Sequence, residues 1–569
     1  MLAIALVVAA QIVNAQSQQT PSGGPPRDAR PPAVTGTAAI RGRIFAADTG
    51  RPLRRARVAL SAPELGPEPR QTSTNVDGRY EIRDLPAGRY SVTVTRAGYL
   101  QLRYGQRRPL EQGKPLQVLD KQAIENVNFS LPRMSVITGR VLDEMNEPVA
   151  GAQVLAMRSM YFEGRRRLVP ATGGGGPAGL TDDAGQFRVL GLPPGTYYLR
   201  ATMRDTWTVS ENGVEQTYGY APTYYPSTTN IGDARRLTVG IGQEASNNDI
   251  ALIPGRAVSV SGTAFDSHGR PLAGQSVSLT QETRGPGMGM FMSAGSGNVK
   301  PDGTFTIKSV PPGEFKLMAR ASGDRGTEAA TVPILVNGVD LDNISLVTSS
   351  GGSITGQIVA DTGGAPAVAR DRVRVMARLA DGDYDPRMGG PAAANPDYGR
   401  PKDDWTFALT DVYGPVRLRI TLPDGWMVKT IVQNDREIAE APLELRNGEE
   451  SSNVQIVVTN RVTTLTGQLA DDKGAPLTDG TVIVFADETE KWSEGSRFVR
   501  SARPDQQGGY QIKGLPTGEY LAVALDYVQE GMWNDPEYLE SIRRYAQKFT
   551  LVEGTSQAVA LKLVASDAR

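Results

Sequence analysis

Four segments of this chain share one pattern, and that pattern leaves few folds open. Leu85-Pro86-Ala87-Gly88-Arg89-Tyr90 is matched by Leu192-Pro193-Pro194-Gly195-Thr196-Tyr197, by Val310-Pro311-Pro312-Gly313-Glu314-Phe315 and by Leu515-Pro516-Thr517-Gly518-Glu519-Tyr520. Each runs apolar residue, Pro-x-Gly, one polar residue, an aromatic, then alternating apolar positions. Proline presets φ for the first corner of a turn, and glycine takes the corner that other residues fill only with strain. The aromatic then opens a strand with Tyr90, Val92 and Val94 on one face and polar residues on the other. Four copies predict an array of β-domains.

Composition narrows this further. The chain has 569 residues, enough for several cores. Its 63 glycines and 39 prolines accompany 39% hydrophobic residues, so the excess marks turns rather than disorder. A net charge of −1 gives no field to draw the chain to nucleic acid or an anionic membrane. The absence of cysteine removes disulfides, thiolate metal sites, thiol nucleophiles and a lipid anchor on cysteine. The single histidine, His268, lies in the turn-like run Asp266-Ser267-His268-Gly269, where it reads as a solvated turn residue. A Ser-His-Asp triad or a histidine-rich metal site would have to use it. The sequence predicts no catalytic residues, no metal and no cofactor.

Residues 1–15 are nearly all apolar and end Val13-Asn14-Ala15, with small residues where a signal peptidase would cut. The positive n-region is missing, yet export is the expectation. No transmembrane span is expected after this segment. Residues 16–37, rich in Pro, Gly, Ser and Gln, read as a flexible lead-in.

The rest divides into five units with the same order of signals. Unit one (38–133) opens with Ile40-Arg41-Gly42-Arg43-Ile44, continues through the alternating Ala56 to Leu60, and has Asp77-Gly78-Arg79-Tyr80 before its Pro-x-Gly turn. Unit two (134–255) opens at Ile137-Thr138-Gly139 and carries long loops. Unit three (256–349) opens at Val260-Ser261-Gly262. Unit four (350–460) opens at Ile354-Thr355-Gly356 and is divergent, with Asp411-Val412-Tyr413-Gly414 replacing the Pro-x-Gly turn. Unit five (461–569) opens at Leu465-Thr466-Gly467 and includes a short helix at residues 536–546, where Leu539, Ile542 and Ala546 fall on one face after a proline start. That helix is expected to cover an end of the last sandwich. The prediction is an all-β chain of about five seven-stranded sandwiches, transthyretin-like or Ig-like.

The order strand-Gly-strand, Gly-x-Pro-Leu, alternating strand, Thr-Asp-x-x-Gly-x-Phe/Tyr and Leu-Pro-Pro-Gly-x-Tyr resembles carboxypeptidase regulatory-like domains. These belong with transthyretin-like and carbohydrate-binding-like sandwiches. The resemblance covers about residues 38 to 565. It implies non-catalytic accessory domains of tandem, exported bacterial envelope proteins, and it carries no site, because its motifs are turn and core residues. Asp424-Gly425-Trp426 and Val484-Phe485-Ala486 with Trp492 are similar to the C-terminal pair of such proteins. A zinc carboxypeptidase site cannot be built from one histidine.

The candidate binding residues are Trp207, Tyr218, Tyr220, Tyr224 and Tyr225, in and just before an aromatic-rich loop of unit two. Sugar faces stack on exposed rings while neighbouring polar groups take the hydroxyls; the plainer alternative is that these rings pack down as the lid of an interdomain core. Asp77, Asp182, Asp183 and Asp302 read as turn residues bonding their own backbone rather than as calcium ligands. Arg165-Arg166-Arg167 before the Gly173 to Gly176 run reads as a solvated loop, not a phosphate cradle. A self-stapling Lys–Asn bond would need a buried lysine, and the inward positions read Val, Ile, Leu, Tyr and Phe. Two functions follow: carbohydrate binding at the cell envelope, or a structural stalk or protein-interaction module of stacked domains with no shared pocket. An enzyme would need a glycosidase-like carboxylate pair, whose separation a sequence does not display.

Overall fold

The structure, a computed structural model, describes residues 35–564 apart from 67–68, 163–164, 172–178, 212, 286–287, 324–325, 381–397, 447, 472 and 494. The signal-like segment, most of the lead-in and the Gly173 to Gly176 run lie outside the described residues. In each copy of the repeated pattern the glycine is the first residue of a strand: Gly88–Thr95, Gly195–Thr202, Gly313–Gly323 and Gly518–Leu525. The aromatic two residues on folds back over the turn. The Tyr90 and Tyr520 hydroxyls donate to the carbonyls of Pro86 and Pro516, both at 2.7 Å, and Tyr197 donates to Pro193. A Cβ on Gly313 would lie 3.2 Å from the Phe315 ring, and its φ is 152°. The glycine is needed for the ring lying over it and for this extended positive φ, rather than for a sharp corner. The three tyrosines are among the largest fully buried side chains.

A second glycine closes each unit. On the first strand Ala38–Ala46, a Cβ at Gly42 would come within 2.0 Å of the Val127 carbonyl oxygen; at Gly467 it would come within 1.9 Å of Val559. Those same oxygens accept from Tyr80 (2.7 Å) and Tyr510 (2.6 Å). The closing segment therefore approaches the first strand as closely as backbone allows.

Topology follows from that closure. Ala38–Ala46 pairs antiparallel with Arg79–Leu85 and parallel with Phe129–Leu131. A second sheet holds Arg57–Ser61 between Arg70–Ser73 and Gly88–Thr95. Ile40, Ile44, Val58, Leu60, Tyr90 and Val92 fill the space between them. The arrangement recurs on first strands Ser135–Leu142, Val258–Phe265, Gly352–Ala360 and Thr464–Ala470, each antiparallel to one strand and parallel to its closing strand. The chain is all-β, with hydrophobic cores following one another in chain order; below, the units are named by these cores.

The fifth unit adds a layer. Thr481–Ala486 is buried at every position, and Gly518–Leu525 from Tyr520 on. Val482, Val484, Tyr520 and Ala522 face one core, while Ile483, Phe485, Leu521 and Val523 face another that includes Trp492, Leu539 and Ile542. The helix Pro536–Arg543, capped by the Asp535 side chain accepting from the Glu537 amide, supplies the last two. It covers the outer face of a sheet, not an end of the sandwich as the sequence suggested.

The units do not simply stack. The segment between Leu102–Arg103 and Leu116–Val118 of the first unit lies against the fifth. Glu111 and Arg503 pair at 3.1 Å, Arg103 reaches Glu530 at 2.7 Å, and Lys114 and Arg107 both contact Asp479. The Glu530 amide donates to the Leu110 carbonyl at 2.8 Å. Arg166 of the second unit, on strand Arg165–Pro170, pairs with Asp535 (2.9 Å) and Glu537 (2.8 Å). It is not in a solvated loop. A cleft of about 580 Å³ lies among the first, second and fifth units, lined by residues that include Tyr104, Phe129, Ile241 and Asp505. The expectation of stacked domains without a shared pocket is corrected: contacts hundreds of residues apart in sequence fold the row back on itself.

Candidate functional site

Strand alternation brings the candidate rings of the second unit together. Thr206–Glu211 and Val214–Ala221 form a hairpin, and Ile253–Arg256 pairs with its second strand. Trp207 stands opposite Tyr218, and Tyr220 is two residues further along the same face. The Trp207 and Tyr218 rings are near-parallel with centroids 6.1 Å apart; Trp207 and Tyr220 are tilted at 4.8 Å. All three are half-buried.

The opposite face explains the orientation. Gly219 and Gly255 lie between these positions, and a Cβ on them would meet Pro311 at 3.2 Å and Pro312 at 2.6 Å. That face therefore seats on the Pro-Pro-Gly turn of the third unit, and the rings turn the other way. Arg256 is opposite Tyr218 and Pro254 opposite Tyr220.

Polar groups border the rings. The Tyr218 hydroxyl donates to Gln216 at 2.9 Å and Tyr220 to Glu144 at 3.1 Å. Burial, then the Glu144 hydrogen bond, raises the Tyr220 phenol above its ordinary range, so it stays a donor at neutral pH. Tyr220 also packs on the second core, and so does Tyr225. Tyr224 and Tyr225 do not join the cluster. Thr223–Tyr224 pairs with Gly195–Thr202 at the edge of a different sheet, and the Tyr225 amide donates to Leu199. The sequence did not single out Gln216, Glu144 or Arg256, because register and the return of residue 144 to this face carry no local signal.

The other candidates resolve into turn chemistry. One Asp182 oxygen accepts the amides of Ala184 (3.0 Å) and Gln186 (2.8 Å), and one Asp302 oxygen the Thr304 amide (2.9 Å). In the first unit Asn75, not Asp77, plays this part. His268 is exposed. Its neighbour Ser267 donates to Glu328 and lies 3.1 Å from His268 Nδ1. Glu328 also accepts from the Ser267 amide and Thr348, so it staples the turn instead of orienting the imidazole. Among the described residues no three His, Cys, Asp or Glu side chains are grouped to hold a metal, and no helix is long and apolar enough to cross a membrane.

Residues 39–132 match the carboxypeptidase regulatory-like domain family. No curated protein matches the chain. Solved structures similar to it include the minor pilin GBS52 of Streptococcus agalactiae, at 12% identity over 38% of this chain and 95% of that one, TM-score 0.22. The major pilin subunit BcpA of Bacillus cereus is 10% identical over 76% and 99%, TM-score 0.15. The shaft pilin SpaA of Lactobacillus rhamnosus GG is 14% identical over 39% and 98%, TM-score 0.19.

Proposed function

We propose that this chain, whose residues 39–132 match the carboxypeptidase regulatory-like domain family, is a non-catalytic, exported protein that binds carbohydrate at the cell envelope. The reading rests on one observation: Trp207, Tyr218 and Tyr220 lie together on one face of a hairpin, half-exposed, with Gln216, Glu144 and Arg256 around them. Ring faces take the apolar side of a sugar, and bordering amide, carboxylate and guanidinium groups take its hydroxyls.

Intrinsic fluorescence tests it. Trp405 and Trp492 are buried, whereas Trp207, like Trp426 and Trp533, is half-exposed, so a sugar on this face perturbs Trp207 emission, and a variant without Trp207 separates that change from the other two. Titration with a panel of cell-wall glycans should give a saturable shift with at least one member, lost in the Trp207→Ala/Tyr218→Ala double variant. A flat response across the panel overturns the reading. The alternative, an envelope protein-interaction module, is favoured by the docking of the first unit on the fifth, which builds one multi-unit surface. Under it the double variant leaves capture of an envelope partner untouched.

A further inference from the structure

Among the described residues, one part of the seam between the fourth and fifth units gathers more positive charge than its carboxylates neutralise, whereas elsewhere in it Lys429 pairs with Glu553 at 2.8 Å and Arg461 with Asp361 at 2.5 Å. In the two-stranded sheet of Arg374–Leu379 and Val416–Thr421, Arg378 stands opposite Arg417 and Met376 opposite Arg419. Val375, Ala377, Val416 and Leu418 alternate with them and face the fourth core, so Arg378, Arg417 and Arg419 share the other face. That face meets the fifth unit. A Cβ on Gly495 would lie 3.9 Å from Arg419 Nε, and Arg497 and Arg500 follow in the chain.

The partners of these five side chains are mostly carbonyls. Arg497 Nε donates to a Glu440 carboxylate oxygen at 2.8 Å. Arg417 donates to the backbone oxygens of Glu440 (3.1 Å) and Ala380 (2.8 Å), and Arg419 to that of Leu418 (3.2 Å). Arg500 donates to those of Ser496 and Val499, both at 2.8 Å. Glu440 is the one carboxylate bonded to the five, among the described residues, and its other oxygen is buried without a hydrogen bond. Burial lowers the pKa of Arg419 and Arg500; attraction by Glu440 opposes it in both, while repulsion from Arg497 and, for Arg419, from Arg417 and Arg378 adds to it, so one carboxylate is shared among several cations. Partly buried cations without counter-charge are costly unless something pairs them. Guanidinium forks match the paired oxygens of carboxylate and sulfate.

We propose that this seam binds an acidic glycan, with two or more carboxylate or sulfate groups of one polymer bridging the fourth and fifth units. The charges form a row and not a point. Arg378 lies exposed on one unit, Arg419 and Arg500 are partly buried at the junction, and Arg497 lies 5.7 Å from the Phe498 ring on the other, where Lys491, 4.8 Å from the same ring, is already paired with Glu488 at 2.7 Å. A polymer with spaced anionic groups satisfies such a row better than one small anion. The site is separate from the hairpin rings, and its success or failure is independent of theirs.

Calorimetry on the full chain tests it, with dextran sulfate, polygalacturonate, unsulfated dextran, single-stranded RNA and inorganic sulfate as probes. Saturable binding of either acidic polymer, weakening as salt rises, supports the proposal, and which one binds identifies the anionic group. In Arg419→Gln/Arg500→Gln the affinity should fall about tenfold or more, the scale of losing charge-assisted contacts. Should that variant fail to fold, Arg378→Gln, at an exposed position with no hydrogen bond, should still weaken binding about threefold through lost attraction. Unchanged affinity in the folded variants overturns the proposal. So does equal binding of unsulfated dextran, inorganic sulfate binding as tightly as the polymers, or preference for RNA over both polysaccharides. Trp207→Ala/Tyr218→Ala should leave acidic-polymer affinity unchanged, and a loss there would also overturn it.

Discussion

Two seams join the fifth unit to its neighbours, and they handle charge in opposite ways. Against the first unit, Arg503 and Glu111 are 1% and 4% exposed and pair at 3.1 Å. Glu111 also accepts the Arg107 and Arg108 amides, and Arg503 donates to the carbonyls of Gln112 and Gly105, leaving only its Nε without a partner. Against the fourth unit, the five arginines have, among the described residues, one carboxylate bonded to any of them, that of Glu440, which takes a hydrogen bond from Arg497, while Arg417, Arg419 and Arg500 donate to backbone oxygens. The first seam pairs its buried charges and, Arg503 Nε apart, bonds the donors of that pair, as a permanent joint requires. The second carries a surplus that its described residues do not offset.

The sharpest way to break this comparison is at Glu111. Glu111→Gln leaves Arg503 buried with Asp479, at 3.7 Å, as its one remaining counter-charge among the described residues, which should cost up to about 3–5 kcal/mol. The urea midpoint reported by Trp492, enclosed in the fifth unit, reads the loss. Glu111→Gln/Arg503→Met should recover much of it, since an apolar pair often replaces a buried ion pair at little cost.

An uncharged joint in the same unit gives the reference. Leu539→Ala empties a fully buried position beneath the helix and should cost about 3 kcal/mol, independent of salt.

At the fourth-unit seam the sign reverses. Arg419→Gln removes a cation from a repulsive group, so stability should hold or rise, by less than about 1 kcal/mol and most at low salt. Thermal unfolding in low and high salt checks this. A loss as large as that from Glu111→Gln would mean the two seams are alike.

The smallest effect concerns Asp361, whose carboxyl is held below its usual range by the Arg461 hydrogen bond, then Thr459, with Arg461 and Lys429 adding attraction. The native state therefore binds its proton less readily than the unfolded chain. Its contribution is complete above the ordinary aspartate pKa of about 4 and is lost as pH falls through the lower native value. Urea midpoints at mildly and strongly acid pH should diverge less in Asp361→Asn than in the parent chain.

Much of the fold was legible because its devices are local. Pro-x-Gly followed by an aromatic marks a strand start, and the aromatic's hydroxyl closes on a carbonyl four residues back. The helix was legible from Pro536 and the spacing of Leu539 and Ile542. The unbroken apolar run from Val482 to Ala486 carried the signal of a strand buried on both faces, though not what would cover it. The docking of the first unit on the fifth was not legible, since Gln112 meets Arg503 across 391 residues and each reads locally as a surface polar residue. Arg166 misled for the same reason. At the candidate site, aromatic composition drew attention to five rings. Only register separates Trp207, Tyr218 and Tyr220, which meet, from Tyr224 and Tyr225, which do not.

The parallel pairing of each first strand with its own closing strand has a consequence for synthesis. Ile44 meets Phe129, and Leu469 meets Leu561, so no unit can complete its sheet until its last strand has left the ribosome. Units then finish one at a time, from the N-terminus onward. Glu111 is among the residues that wait long for a partner. At about 5–20 residues per second, the 391 residues between Gln112 and Arg503 take roughly 20–80 seconds to make. Through that interval the first unit presents an acidic and basic loop to water, until the fifth unit arrives to cover it.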